Sequence, residues 1–175
     1  VNTLPYLPRV GFSLRVRDEL SSFVYYGRGP AENYNDRSRG SLIGVYRNTV
    51  EGEYVPYARP QANGNHTDTR WATLSDGEAV GLLVGALGGD LDVSVSQYDL
   101  LDRAEYDFQL PLVRNRNWTT LYVSTIETGV GETPHAVQPG YRAMPGQTYD
   151  YEVLLRPLTS AEVAAGAVPG QTAAR

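Results

Sequence analysis

The chain has 175 residues, a length that suits one domain able to bury roughly 70% of its unfolded surface. Its 41% apolar and 20% charged residues exclude a wholly disordered polypeptide. A net charge of −5 and a pI near 5.0 exclude the basic surface that a nucleic-acid partner needs, and the absence of cysteine excludes disulfides and zinc–thiolate sites.

Pro5 and Pro8 frame an extended lead-in. From Val10 the pattern alternates, with Val10, Phe12, Leu14 and Val16 on one side and Gly11, Ser13, Arg15 and Arg17 on the other, which predicts a half-buried strand. Asp18 to Ser21 turns the chain into a second strand, Phe23 to Tyr26. The following loop carries Gly27, Gly29 and Pro30 among Tyr, Arg and Asn. Ring stacking and arginine hydrogen bonds are expected to hold it in order.

Leu42 to Tyr46 is a further strand candidate, and Tyr54 to Gly64 reads as extended chain and turn. Thr69 to Leu74 and Ala79 to Val84 are expected to pair across Asp76-Gly77. Leu91, Val93 and Val95 alternate with Asp92, Ser94 and Ser96. The spacing predicts one short helix in the body, Asp99 to Glu105, capped by Asp99. Strands are expected at Tyr106 to Leu110 and at Trp118 to Thr125. After a type II turn at Pro145-Gly146, Tyr149, Tyr151, Val153 and Leu155 alternate into the last strand. Thr159 to Glu162 has the spacing of a capping box, although an Ala- and Gly-rich terminus is expected to fray. Many short strands separated by Gly and Pro turns predict an all-β sandwich.

No apolar run approaches the ~20 residues of a membrane helix, and no basic-then-apolar leader is visible. The expected location is therefore the cytoplasm, with no membrane partner. Asn-x-Thr triplets at Asn65 and Asn117 match the glycosylation pattern, which is short enough to arise by chance.

The sequence carries no recognisable constellation of reactive groups. There is no Gly-x-Ser-x-Gly, and His66 and His135 lack a serine partner in any recognisable motif. Asp68, two residues beyond His66, is expected to hydrogen-bond it within a loop. Asp90/Asp92 and Asp150/Glu152 each point one way from a strand, and both pairs fall on the polar side, where a solvated face is expected. No carboxylate run has calcium-loop spacing. Gly27-x-Gly29 lacks the third glycine of a phosphate-binding turn. What remains is aromatic supply: 13 Tyr, 2 Trp and 3 Phe, with Arg, Asn and Asp nearby. Rings that stack on C–H faces beside groups that bond hydroxyls would suit a sugar groove, and the same residues also suit packing.

Leu7-Pro8-Arg9-Val10-Gly11 is followed by Tyr26-Gly27-Arg28-Gly29-Pro30, Glu32-Asn33-Tyr34 and Asp36-Arg37. Pro56-Tyr57, Pro60-Gln61, Asn63-Gly64-Asn65-His66, Arg70-Trp71 and Gly129-Val130-Gly131 come after these. In order and spacing this set resembles the C-terminal β-sandwich domain of the bacterial family-two glycoside hydrolases, the β-galactosidases.

The resemblance implies an antiparallel supersandwich related to galactose mutarotase, present as a partial copy over residues 1–157; it does not cover the Ala- and Gly-rich tail over 158–175. It implies that the catalytic acid and nucleophile, both Glu, lie on a separate barrel domain, so no residue here is expected to be catalytic. It further implies that magnesium and sodium bind the parent outside this chain. No cofactor or metal site is therefore expected within it. The expected partners are the remaining domains of the parent, a galactoside met indirectly, and further copies in a homo-oligomer.

In some members of that family a Trp ahead of the Gly-x-Gly turn forms a platform for the sugar. The matching position here is Thr120, which has no stacking face, with Trp118 two residues earlier on the same side of the strand; these two are the candidate substrate-binding residues. Arg28, Arg37 and Arg70 are expected to be structural, holding loops by bidentate hydrogen bonds. The leading expectation is a non-catalytic domain that completes a β-galactosidase. The alternatives are a free-standing carbohydrate-binding module and, by fold analogy alone, an aldose epimerase.

Overall fold

The computed structural model describes residues 5–58, 61, 63–98, 117–131 and 136–169. Within them, nine strands form two antiparallel sheets, and one short α-helix follows. The strands are β1 (Arg9–Arg17), β2 (Ser22–Gly29), β3 (Leu42–Thr49), β4 (His66–Thr69), β5 (Trp71–Ser75), β6 (Gly81–Ala86), β7 (Leu91–Ser96), β8 (Trp118–Glu127) and β9 (Val153–Pro157). The helix is α1 (Ser160–Ala164). One sheet runs β1-β8-β7-β4 and the other β3-β2-β5-β6-β9.

Period-two alternation explains how the layers meet. Phe12 and Val16 of β1 turn to the interior while Ser13, Arg15 and Arg17 stay exposed. Phe23 and Tyr25 of β2, Ala72 and Leu74 of β5 and Val84 of β6 face Leu91, Val93 and Val95 of β7 and Leu121 and Val123 of β8. These core residues are nearly water-free, so each Val, Leu and Phe among them contributes about 1.5–3 kcal/mol of transfer free energy. Gly11 lies against the backbone of Ser124, where no side chain could fit, at a register shift between Val10 and Gly11.

Three expectations change. The strand foreseen from Thr69 to Leu74 is divided: Thr69 ends β4 in one sheet, and Trp71 begins β5 in the other. The break follows Asp68, which takes a left-handed φ of 53° that a regular strand cannot accommodate. The second face of β7 is not solvated, because Asp92 and Ser94 are buried along with the apolar residues. The last strand starts at Val153 rather than Tyr149, whose hydroxyl instead closes the preceding turn on the backbone of Met144. Gly146 has the positive φ that a type II turn requires. The helix expected at Asp99 to Glu105 and the strand at Tyr106 to Leu110 lie outside the described residues.

Residues 158–167 are docked rather than frayed. Thr159 and Glu162 form the reciprocal capping box, and Arg156 grips the Glu162 carboxylate at 2.7 Å and 3.0 Å. Leu158, Val163 and Ala167 then cover Leu83 on the outer face of the five-stranded sheet. Thr73 Oγ1 donates to Ala167 O (2.8 Å), and Arg47 donates to Gly166 O (2.6 Å).

Candidate functional site

The loop leaving β2 is fastened residue by residue. The Asn33 amide donates to Arg28 O and Ala31 O, and its Oδ1 accepts from the Thr67 backbone N–H and hydroxyl. Glu32 receives Arg37, the Tyr57 hydroxyl and the Gly64 N–H. Asn35 donates to Glu127 O at 2.7 Å. Asp36 accepts from the N–H groups of Val130 (3.1 Å) and Gly131 (2.8 Å). A Cβ at Gly129 would run into that carboxyl, which would have to shift to admit it. The two runs Glu32–Arg37 and Gly129–Gly131, far apart in sequence, thus form one lock.

The three motif arginines each bond to protein partners. Arg28 pairs with Asp68 and donates to Ser41 O. Arg37 pairs with Glu32 and lies over the Tyr34 ring. Arg70 donates to Asp68 O, approaches Asp90 at 3.4 Å and covers the Tyr26 ring. Their contacts are spread over several partners instead of forming bidentate forks.

His66 does not pair with Asp68. Its Nδ1 faces Arg28 O at 3.0 Å and its Nε2 faces Glu53 Oε2 at 2.7 Å, with the ring stacked on Tyr25. Nothing near Glu53 in sequence signals this contact. His135 lies outside the described residues. The Asn65 triplet is buried, and its amide donates to Asn33 O, so that nitrogen is unavailable to a glycan in the folded chain.

Asp92 and Glu127 form a buried acidic pair that alternation did not reveal. Asp92 is 6% exposed, and burial pushes its carboxyl up to about 7; the charges of Glu127 and Asp68 add to this while the Glu127 N–H, bonded at 2.6 Å, opposes it. Burial also raises Glu127, against the pull of Arg9 at 3.0 Å. Raised carboxyls mark catalytic acids in many enzymes. Here neither residue borders the clefts flanking Asp36. Asp90, Asp150 and Glu152 are exposed.

Trp118 and Thr120 open β8, at the opposite end of a ten-residue strand from Glu127. That length is about 30 Å of extended chain. Thr120 is 3% exposed, and Trp118 lies under the Arg15 guanidinium, 4.5 Å from the ring centroid. The structure therefore brings neither residue to the Gly-x-Gly turn.

Among the described residues no three His, Cys, Asp or Glu side chains gather as a metal-binding cluster. No helix among them is long and apolar enough to cross a membrane.

The lock between the Glu32–Arg37 loop and the Gly129–Gly131 turn is built from the residues that carried the family resemblance, and a family model described as "Beta galactosidase small chain" matches residues 1–155. The chain belongs to the β-galactosidase small-chain family. It is 30% identical over 161 residues to the β-galactosidase of Priestia megaterium, covering 89% of this chain and 15% of that protein. The β-galactosidase of Lactobacillus delbrueckii subsp. bulgaricus is 37% identical over 71% of this chain and 12% of its own length. That of Vibrio cholerae is 34% identical over 87% of this chain and 14% of its own length. The chain thus spans 12–15% of the length of these relatives.

Proposed function

We propose that the chain is the non-catalytic portion that completes a β-galactosidase, supplying architecture and one wall of the sugar pocket. The parent would hydrolyse terminal β-galactosides with retention, through two carboxyls about 5–5.5 Å apart on another domain. The observation that carries this reading is the family match over residues 1–155, in relatives of which this stretch is a small fraction. The carboxylate inventory agrees with it. Glu32, Asp36, Glu53, Asp68, Asp92 and Glu127 each serve a backbone amide, an arginine or a histidine.

On this reading the remaining domains of the parent are the principal partners, any magnesium or sodium binds outside this chain, and the enzyme works in the cytoplasm. Association between copies is favoured by the edge strand β3, where Leu42 is 75% exposed beside exposed Ile43 and Val45. Trp118 would serve as a sugar contact only if the parent's other domains rearranged Arg15.

The test is reconstitution. The chain is produced alone and together with the separately produced remainder of its parent, and each preparation is assayed with a chromogenic β-galactoside. Hydrolysis only by the mixture is expected. Turnover by the isolated chain would overturn the proposal.

A further inference from the structure

Two cavities of about 740 and 620 Å³ adjoin one another where the loop after β2 meets the segment after β8. They share Asp36, Arg37 and Tyr141 and so form one trough, of a size that suits a small ligand. One wall holds Ser38 and Arg39, the other Gln138 and Tyr141. The walls are fixed to one another by the Asp36 bonds to Val130 and Gly131, and by Gly129 N–H donating to Tyr141 O at 3.3 Å. A ligand would therefore meet a preformed surface, with little ordering cost on binding.

The chemistry on offer is specific. The lining carboxylates Glu32 and Asp36 are already held by protein donors, and Arg37 is paired with Glu32. The side chains of Arg39, Gln138 and Tyr141 make no hydrogen bond to any described residue, which leaves one guanidinium, one amide and one phenol for a ligand. Asp36 lies in the part shared by both cavities, so an anion seated there would meet a carboxylate. A neutral molecule rich in hydroxyls meets no such penalty, and it finds an aromatic ring beside donors and acceptors.

We infer that this trough is a saccharide subsite, in which Tyr141 supplies the ring contact and Arg39 and Gln138 bond hydroxyls of a galactoside. The inference rests on the β-galactosidase reading and moves the sugar contact away from Trp118 and Thr120.

The test is an amide NMR titration of the full chain with lactose, with inorganic phosphate in a parallel series. Lactose is expected to shift amides of residues 35–41 and 138–141 and to saturate in the millimolar range. Arg39 is exposed, so Arg39→Ala should fold normally and weaken binding roughly tenfold or more, as loss of a charged hydrogen bond does. Trp118→Ala should leave binding unchanged. No response to lactose, a response only to phosphate, or one abolished by Trp118→Ala but not Arg39→Ala would each overturn the inference. Successful reconstitution with a silent titration would remove the subsite and leave the scaffold. Lactose binding at the trough with failed reconstitution would do the reverse.

Discussion

His66 Nε2 lies 2.7 Å from Glu53 Oε2, in a place where neither side chain reaches water. Because Nδ1 also faces an oxygen, the Arg28 carbonyl, Nδ1–H must donate there. The short Nε2–Oε2 contact then needs a proton of its own, carried by the ring or by the carboxyl. Asn48 holds the other Glu53 oxygen at 2.9 Å. Glu53→Ala leaves a buried ring nitrogen unmatched and should cost about 3–5 kcal/mol in urea unfolding. Glu53→Gln still offers a donor to Nε2 and should cost less than half as much. Equal losses in the two variants would contradict a shared proton.

Asp92 gives the fold a pH dependence of definite sign. Its carboxyl sits at about 7 when folded, chiefly through burial, against roughly 3.9 in an unfolded chain. Between those values the folded state binds more protons than the unfolded one. Its contribution is therefore fully present at acid pH, and is lost as pH rises through 7. Asp92→Asn keeps an acceptor for the Glu127 N–H and removes the charge. The variant should gain stability at pH 8 relative to pH 5, measured by urea midpoints, when compared with the parent chain. Glu127, also raised by burial, leaves a slope of the same sign.

The lock at Asp36 predicts non-additive losses. Asp36→Ala removes the acceptor of two backbone N–H groups and should cost about 2 kcal/mol. Gly129→Ala should cost about 1–3 kcal/mol, because the new methyl strikes the carboxyl. With that carboxyl already gone the methyl has room, so the double variant should lose clearly less than the sum. Additive losses would show that the two positions act separately.

The docked tail makes its own prediction. Thr159→Ala removes the cap of α1 and should cost about 1 kcal/mol in thermal unfolding. Deleting residues 158–175 uncovers Leu83 and removes Ala167 O, an acceptor of the Thr73 hydroxyl, and should promote association in size-exclusion chromatography. A truncated chain that stayed monomeric and equally stable would mean that these contacts contribute little.

These residues also show what was legible from sequence. The alternation of β1 and the capping box at Thr159 and Glu162 follow local rules, and both were visible. So was the ordered loop after β2, because its Gly, Pro and Tyr residues constrain the backbone wherever they occur. Whether the tail would pack depended on Leu83, which lies more than 70 residues earlier. His66 finding Glu53 instead of Asp68 is likewise a tertiary event, with the left-handed Asp68 diverted to Arg28. Asp92 obeyed the alternation of its strand, but alternation says only which face a residue takes, not whether that face is wet.

Arg70 alone separates β4 from β5, and those strands belong to opposite sheets. Its N–H donates to Tyr26 O and its carbonyl accepts from Ala86 N–H, so the crossing residue is woven into the second sheet on both sides. Neither layer can peel off while the other stays intact, since the backbone joining them has no slack. Melting should therefore be a single all-or-none event, with equal calorimetric and van't Hoff enthalpies.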